Sequence, residues 1–148
     1  MFLLAAPWLS LLGQTNAVLN LSPSERLNIK RGGMAEFHLK ADLRPGYHVN
    51  SNAPADEFLI PFKLTWAKEP LETGQIVYPK PQFEKYDFSA NPVSVFSGNF
   101  EIVTRFKAPA TAAPGLVSMT GKLRYQACNN KECLPPRTVD VRFTVNVE

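Results

Sequence analysis

Long hydrophobic runs, clustered charge and sustained helical periodicity are all missing from this chain of 148 residues, and it has only two cysteines. No stretch reaches the roughly 20 apolar residues that carry a helix across a bilayer, which argues against a membrane span. The 16 lysines and arginines are scattered, giving a formal charge of only +3. Phosphate binding normally shows a concentrated basic stripe, so a nucleic-acid partner is not expected. No segment keeps the 3.6-residue apolar spacing of an amphipathic helix. Hydrophobic residues at 45% and charged residues at 20% are close to the soluble average, which suggests neither a disordered nor a membrane-embedded body. The length fits one domain with a real core.

Proline is abundant, at 13 residues. Proline removes a backbone donor and breaks helix interiors, so this number suits short strands joined by irregular turns. From Ala35 to Leu43 the apolar side chains Ala35, Phe37, Leu39, Ala41 and Leu43 alternate with polar ones, the period-two pattern of a half-buried strand. After a turn at Arg44-Pro45-Gly46, residues 47–50 read as a short strand. Residues 62–66 and 100–106 alternate in the same way. The clearest alternation is at Leu123, Tyr125 and Ala127, then from Val139 to Val147. Turn signals recur at Ser22-Pro23, Gly32-Gly33, Asn52-Ala53-Pro54, Thr73-Gly74, Ser97-Gly98-Asn99 and Pro114-Gly115. Seven or more short strands with regular turns predict an all-β, immunoglobulin-like β-sandwich in a single domain.

Two segments stand outside this pattern. The apolar run from Phe2 to Leu12, followed by Thr15-Asn16-Ala17, resembles a secretory signal, although no Lys or Arg precedes it. Residues 1–17 are therefore expected to be a signal peptide and 18–148 the exported domain, the alternative being an N-terminal strand or helix packed on it. Between Tyr78 and Phe96 the alternation degrades into a stretch rich in proline and aromatics. It reads either as a long functional loop or as an irregular strand pair whose aromatics fill the core.

Cys128 and Cys133 are separated by Asn129, Asn130, Lys131 and Glu132, between two expected strands. A connection of four residues makes a hairpin, whose flanking residues face each other with Cβ atoms about 4.5 to 5.5 Å apart, near what a disulfide needs. Closing so short a loop is worth only about 2 kcal/mol in the chain-entropy model. An immunoglobulin-type structural disulfide ties two sheets together across a long separation, which this pair cannot do. Lys131, Arg124 and Arg137 favour thiolate, and Glu132 opposes it at Cys133. Pro135-Pro136 removes two amide donors after Cys133 and keeps that segment from normal pairing. The residues alone leave redox exchange and a passive staple in a non-catalytic binding module both open. Metal ligation by His38, His48, Cys128 and Cys133 lacks the paired spacing of structural zinc sites.

Tyr125-Gln126-Ala127-Cys128, four residues, then Cys133-Leu134-Pro135-Pro136 resembles the active-site hairpin of the N-terminal periplasmic domain of the thiol:disulfide interchange protein DsbD. Residues 46–51 and 56–61 are similar to stand-alone relatives of that domain, and the likeness runs from about Leu27 to Val147. The better-known members have five residues between the cysteines. The resemblance implies an immunoglobulin-like carrier that takes electrons from a DsbD-like membrane protein and passes them to exported thioredoxin-fold proteins, as in cytochrome c biogenesis. It implies a periplasmic or otherwise exported protein-disulfide reductase component with no cofactor and no metal. Because this chain shows no membrane span and no thioredoxin-like domain, the electron donor is expected to be another chain. By the same resemblance Cys133 forms the mixed disulfide and Cys128 resolves it. A cap within Phe83 to Gly98 shields the pair, chiefly through Phe88 and Tyr86, with Tyr47 and Tyr125 as walls.

Overall fold

A computed structural model describes residues 17–24 and 26–148. The expected signal segment, except Ala17, lies outside the described residues. Those described form strands without any helix: β1 (Leu19–Pro23), β2 (Arg26–Ile29), β3 (Met34–Leu43), β4 (His48–Asn50), β5 (Lys63–Trp66) and β6 (Glu72–Val77). Then follow β7 (Gln82–Glu84), β8 (Val93–Phe96), β9 (Asn99–Lys107), β10 (Gly115–Tyr125), β11 (Ala127–Cys128) and β12 (Arg137–Val147). No helix among the described residues is long and apolar enough to cross a membrane.

Two four-stranded sheets, ordered β1-β3-β9-β6 and β2-β12-β10-β5, pack face to face. This is the expected β-sandwich. The alternating side chains of β3, β9, β10 and β12 supply its core, because period two sends every second residue inward. Phe37 of the first sheet stacks on Phe143 of the second with centroids 3.8 Å apart, and Trp66 meets both edge-on. The buried Trp66 indole N–H donates to the buried Thr104 hydroxyl at 3.0 Å, so this polar tip costs the core little. Gly121, the register partner of Trp66, has no room for a side chain: a Cβ would lie 2.5 Å from the indole ring.

Ser22-Pro23 and Thr73-Gly74, turn signals by composition, lie within β1 and β6. Both strands are at edges of the first sheet, where a missing proline N–H breaks no ladder, and β6 shifts register between Thr73 and Ile76.

A third, smaller sheet, ordered β11-β4-β8-β7, carries the cysteine hairpin. It resolves the Tyr78 to Phe96 stretch into β7 and β8 joined by the loop 85–92. All four residues of β8 are buried, as are all three of β4. On one face Val49, Phe96 and Ala127 join the main core. On the other, Val93 and Val95 form a second cluster with Tyr86 and Leu59. A strand covered on both faces needs no alternation, which is why β8 is invisible to a period-two search.

Candidate functional site

The turn before β4 sets the position of the site. Tyr47 N–H donates to the Arg44 carbonyl at 3.1 Å across Pro45 and Gly46, and Gly46 has φ of 86°. Proline second and a positive-φ glycine third make a type II turn, which leads the chain directly into β4. β4 pairs with β11 so that His48 is the register partner of Cys128. Their side chains therefore share one face of the small sheet.

β10 and β12 pair from Gly115↔Val147 to Tyr125↔Arg137, and the cysteine hairpin projects beyond that end. Cys128 and Cys133 are joined as a disulfide with Cα atoms 4.0 Å apart. They occupy a bridge position between two hydrogen bonds, Asn129 N–H to the Glu132 carbonyl and Leu134 N–H to the Ala127 carbonyl. That is the non-hydrogen-bonded site of an antiparallel pair, where opposed residues approach most closely. Asn129 closes the tip, its Oδ1 accepting from the N–H groups of Lys131 and Glu132, both at 2.8 Å. Asn in this Asx-turn role was a signal available in the sequence. Gln126 Nε2 donates to the Leu134 carbonyl at 3.3 Å, bracing the far side. Pro135 and Pro136 lie outside any strand, as their missing donors predict.

The two sulfurs differ in surroundings: Cys128 is 1% exposed, whereas Cys133 is exposed, as are Lys131, Glu132 and Arg137 around it. Over the Cys128 side of the small sheet lies a column of rings. His48 stacks on Tyr86 with centroids 4.2 Å apart, and Tyr86 stacks on Phe88 at 5.2 Å. The Tyr86 hydroxyl donates to Glu84 at 2.5 Å. Burial, then the bond to Glu84 and its charge, push that hydroxyl far above the ordinary tyrosine range. Burial lowers the His48 pKa below 6.5, opposed by the Glu84 charge. His48 Nε2 is buried with no hydrogen-bond partner.

Of the residues singled out from the sequence, Cys128, Tyr86 and Phe88 are thus gathered on one side of the small sheet, linked through His48. Tyr125 is buried in the main core beside the hairpin, its hydroxyl raised by burial against the pull of Arg137. Tyr47 packs against the main core. His38 is far from this group in topology. It lies on β3, with Nδ1 3.2 Å from Glu101 Oε2.

The model of the family described as thiol:disulfide interchange protein DsbD, N-terminal, matches residues 17–144. The chain belongs to that family. The DsbD N-terminal assignment agrees with a solved structure, the N-terminal periplasmic domain of ScsB from Proteus mirabilis, at 13% identity and a TM-score of 0.56. The match covers 86% of this chain and 45% of that one, so the DsbD-type domain here spans less than half of that chain. At such identity the likeness speaks for the shared fold alone. A cohesin module of a family 33 glycoside hydrolase from Clostridium perfringens matches with 9% identity and a TM-score of 0.45, over 88% of this chain and 98% of that one. No curated protein matches.

Proposed function

We propose that the chain is an exported thiol-disulfide exchange domain, passing reducing equivalents between a DsbD-like membrane protein and exported thioredoxin-fold proteins through Cys128 and Cys133. The observation that carries this is the asymmetry of the pair: one cysteine exposed beside a hairpin tip, the other buried behind it, in a family named for disulfide interchange. Exchange proceeds by in-line attack on a sulfur that a partner can reach, which assigns the mixed disulfide to Cys133 and its resolution to Cys128. The stacked Tyr86 and Phe88 serve as the cap over the buried side, with Tyr125 and Tyr47 as walls.

Equilibrating the protein in glutathione buffers and trapping the thiols tests this. A potential within the range of exchange proteins, roughly −120 to −270 mV, is the expected result. A bridge still oxidised below about −300 mV is a structural staple and ends the proposal.

A further inference from the structure

His48 is the buried titratable group that disulfide exchange by the two cysteines leaves without a use. Its Nε2 is buried and unpartnered, a desolvation cost that a phenylalanine in the same stack would avoid. It lies directly across the β4–β11 ladder from Cys128, on the same face.

The buried sulfur has a matching difficulty. Resolving a mixed disulfide requires the Cys128 thiolate, and burial among apolar groups favours the thiol. The cations nearby in sequence, Arg124, Lys131 and Arg137, are all exposed and leave the buried side without a positive charge of its own. Resting on the exchange function proposed above, we propose that His48 is the acid-base group for Cys128. It accepts the Cys128 proton when Cys128 resolves the mixed disulfide and returns it in the reverse reaction. A disulfide sulfur has no proton to offer, so the empty Nε2 suits the oxidised form, and the reduced thiol supplies the missing partner.

The bonds balance as follows. The Cys128 S–H bond breaks, with its proton passing to His48. The thiolate attacks Cys133 Sγ, the Cys128–Cys133 bond forms, and the bond from Cys133 to the partner's sulfur breaks, releasing the partner as a thiolate. The cysteine pair is oxidised by two electrons and the partner's disulfide is reduced. The imidazolium then gives its proton to the departing thiolate or to water.

The groups around His48 leave this role to it. From β7, Glu84 is committed to the Tyr86 hydroxyl, which is itself held protonated. β8 contributes the apolar Val93 and Val95 to that face, and Lys85 and Asp87 of the cap loop are exposed. Burial keeps the imidazole neutral at pH 7, able to accept a proton.

Reduced protein mixed with 5,5′-dithiobis(2-nitrobenzoic acid) tests this across acidic to alkaline pH. Attack by Cys133 releases one thionitrobenzoate ion and closure by Cys128 releases a second, so stopped-flow absorbance separates the two phases. His48→Phe keeps the ring stacked on Tyr86 without the nitrogen. The first phase should stay within about twofold, while the second slows about a hundredfold at pH 7 and follows the thiol's own titration at higher pH. In the wild type the second phase should fall only below the lowered His48 pKa. A second phase in His48→Phe with the wild-type rate and pH profile overturns the proposal, as does equal slowing of both phases. Should His48→Phe not fold, the ring protons of His48 are titrated by NMR in the reduced wild type and in Cys128→Ser. Different midpoints are expected, and identical ones overturn it. A wild type lacking any second release removes the exchange function itself, whereas an intact second phase insensitive to His48 removes only the role of the histidine.

Discussion

Among the described residues, the core between the two large sheets is apolar apart from a few polar tips, of which the Thr104 hydroxyl is taken by the Trp66 indole. On and beside the small sheet four buried polar side chains gather, His48, Asn50, Ser51 and Ser94. Three of these are satisfied: Asn50 donates to the Ile60 carbonyl at 3.0 Å, and the Ser51 and Ser94 hydroxyls bond at 2.7 Å. Only His48 keeps an open nitrogen. The sandwich core is mostly apolar packing, whereas the small sheet buries polar side chains on both faces, His48 and Asn50 on the Cys128 face and Ser94 on the other. Departures from simple burial logic concentrate where chemistry is proposed.

The sharpest way to test this division is to damage the sandwich alone. Phe143→Ala removes a ring stacked on Phe37 and packed against Trp66 and Phe106. Urea unfolding should show a loss of about 3–5 kcal/mol. The folded fraction should still react at Cys133 with the wild-type rate; a change in that rate would couple the two regions. Reducing the disulfide strikes the other side and should cost less, about 2 kcal/mol, because the closed loop is so short. A loss as large as that of Phe143→Ala would make the bridge a structural element.

The pH dependence of stability separates the regions a third time. A folded-state pKa below the unfolded value means the unfolded chain binds more protons in that window, so the stability contribution is complete above pH 6.5 and is lost as pH falls toward the lowered value. The slope from one histidine is at most about 1.4 kcal/mol per pH unit. Oxidised wild type should show this decline in chemical unfolding and His48→Phe should not. An equal decline in both would show that its origin lies outside His48.

The same division governs what could be read from the chain. β3, β9, β10 and β12 each bury one face, and their alternation was plain. β8 and β4 bury both faces, so β8 lay inside a stretch that read equally as a loop or an irregular strand pair, and only the turn before β4 marked that strand. The cysteine hairpin was legible because its geometry is local, four residues between opposed positions. The partnership of His48 with Cys128 was not, because it depends on β4 meeting β11 across 80 positions of chain, and no local pattern encodes that pairing. Hence His48 entered the sequence analysis only as a poor metal ligand.

The smallest expected effect lies at the outermost ring. Phe88 is 47% exposed and stacks flat on Tyr86, whose other face covers His48. An aromatic pair of this kind is worth about 1 kcal/mol beyond its buried area, so removing one ring should raise the open population of the cap roughly fivefold. Phe88→Ala should accordingly speed alkylation of the reduced cysteines by a few-fold without lowering global stability, because Phe88 lies outside both buried clusters. The increase should be larger at Cys128 than at the already exposed Cys133, which mass mapping of the alkylated peptides would show. An unchanged rate at Cys128 would mean that Tyr86 alone closes the buried side and that Phe88 is no part of the cap.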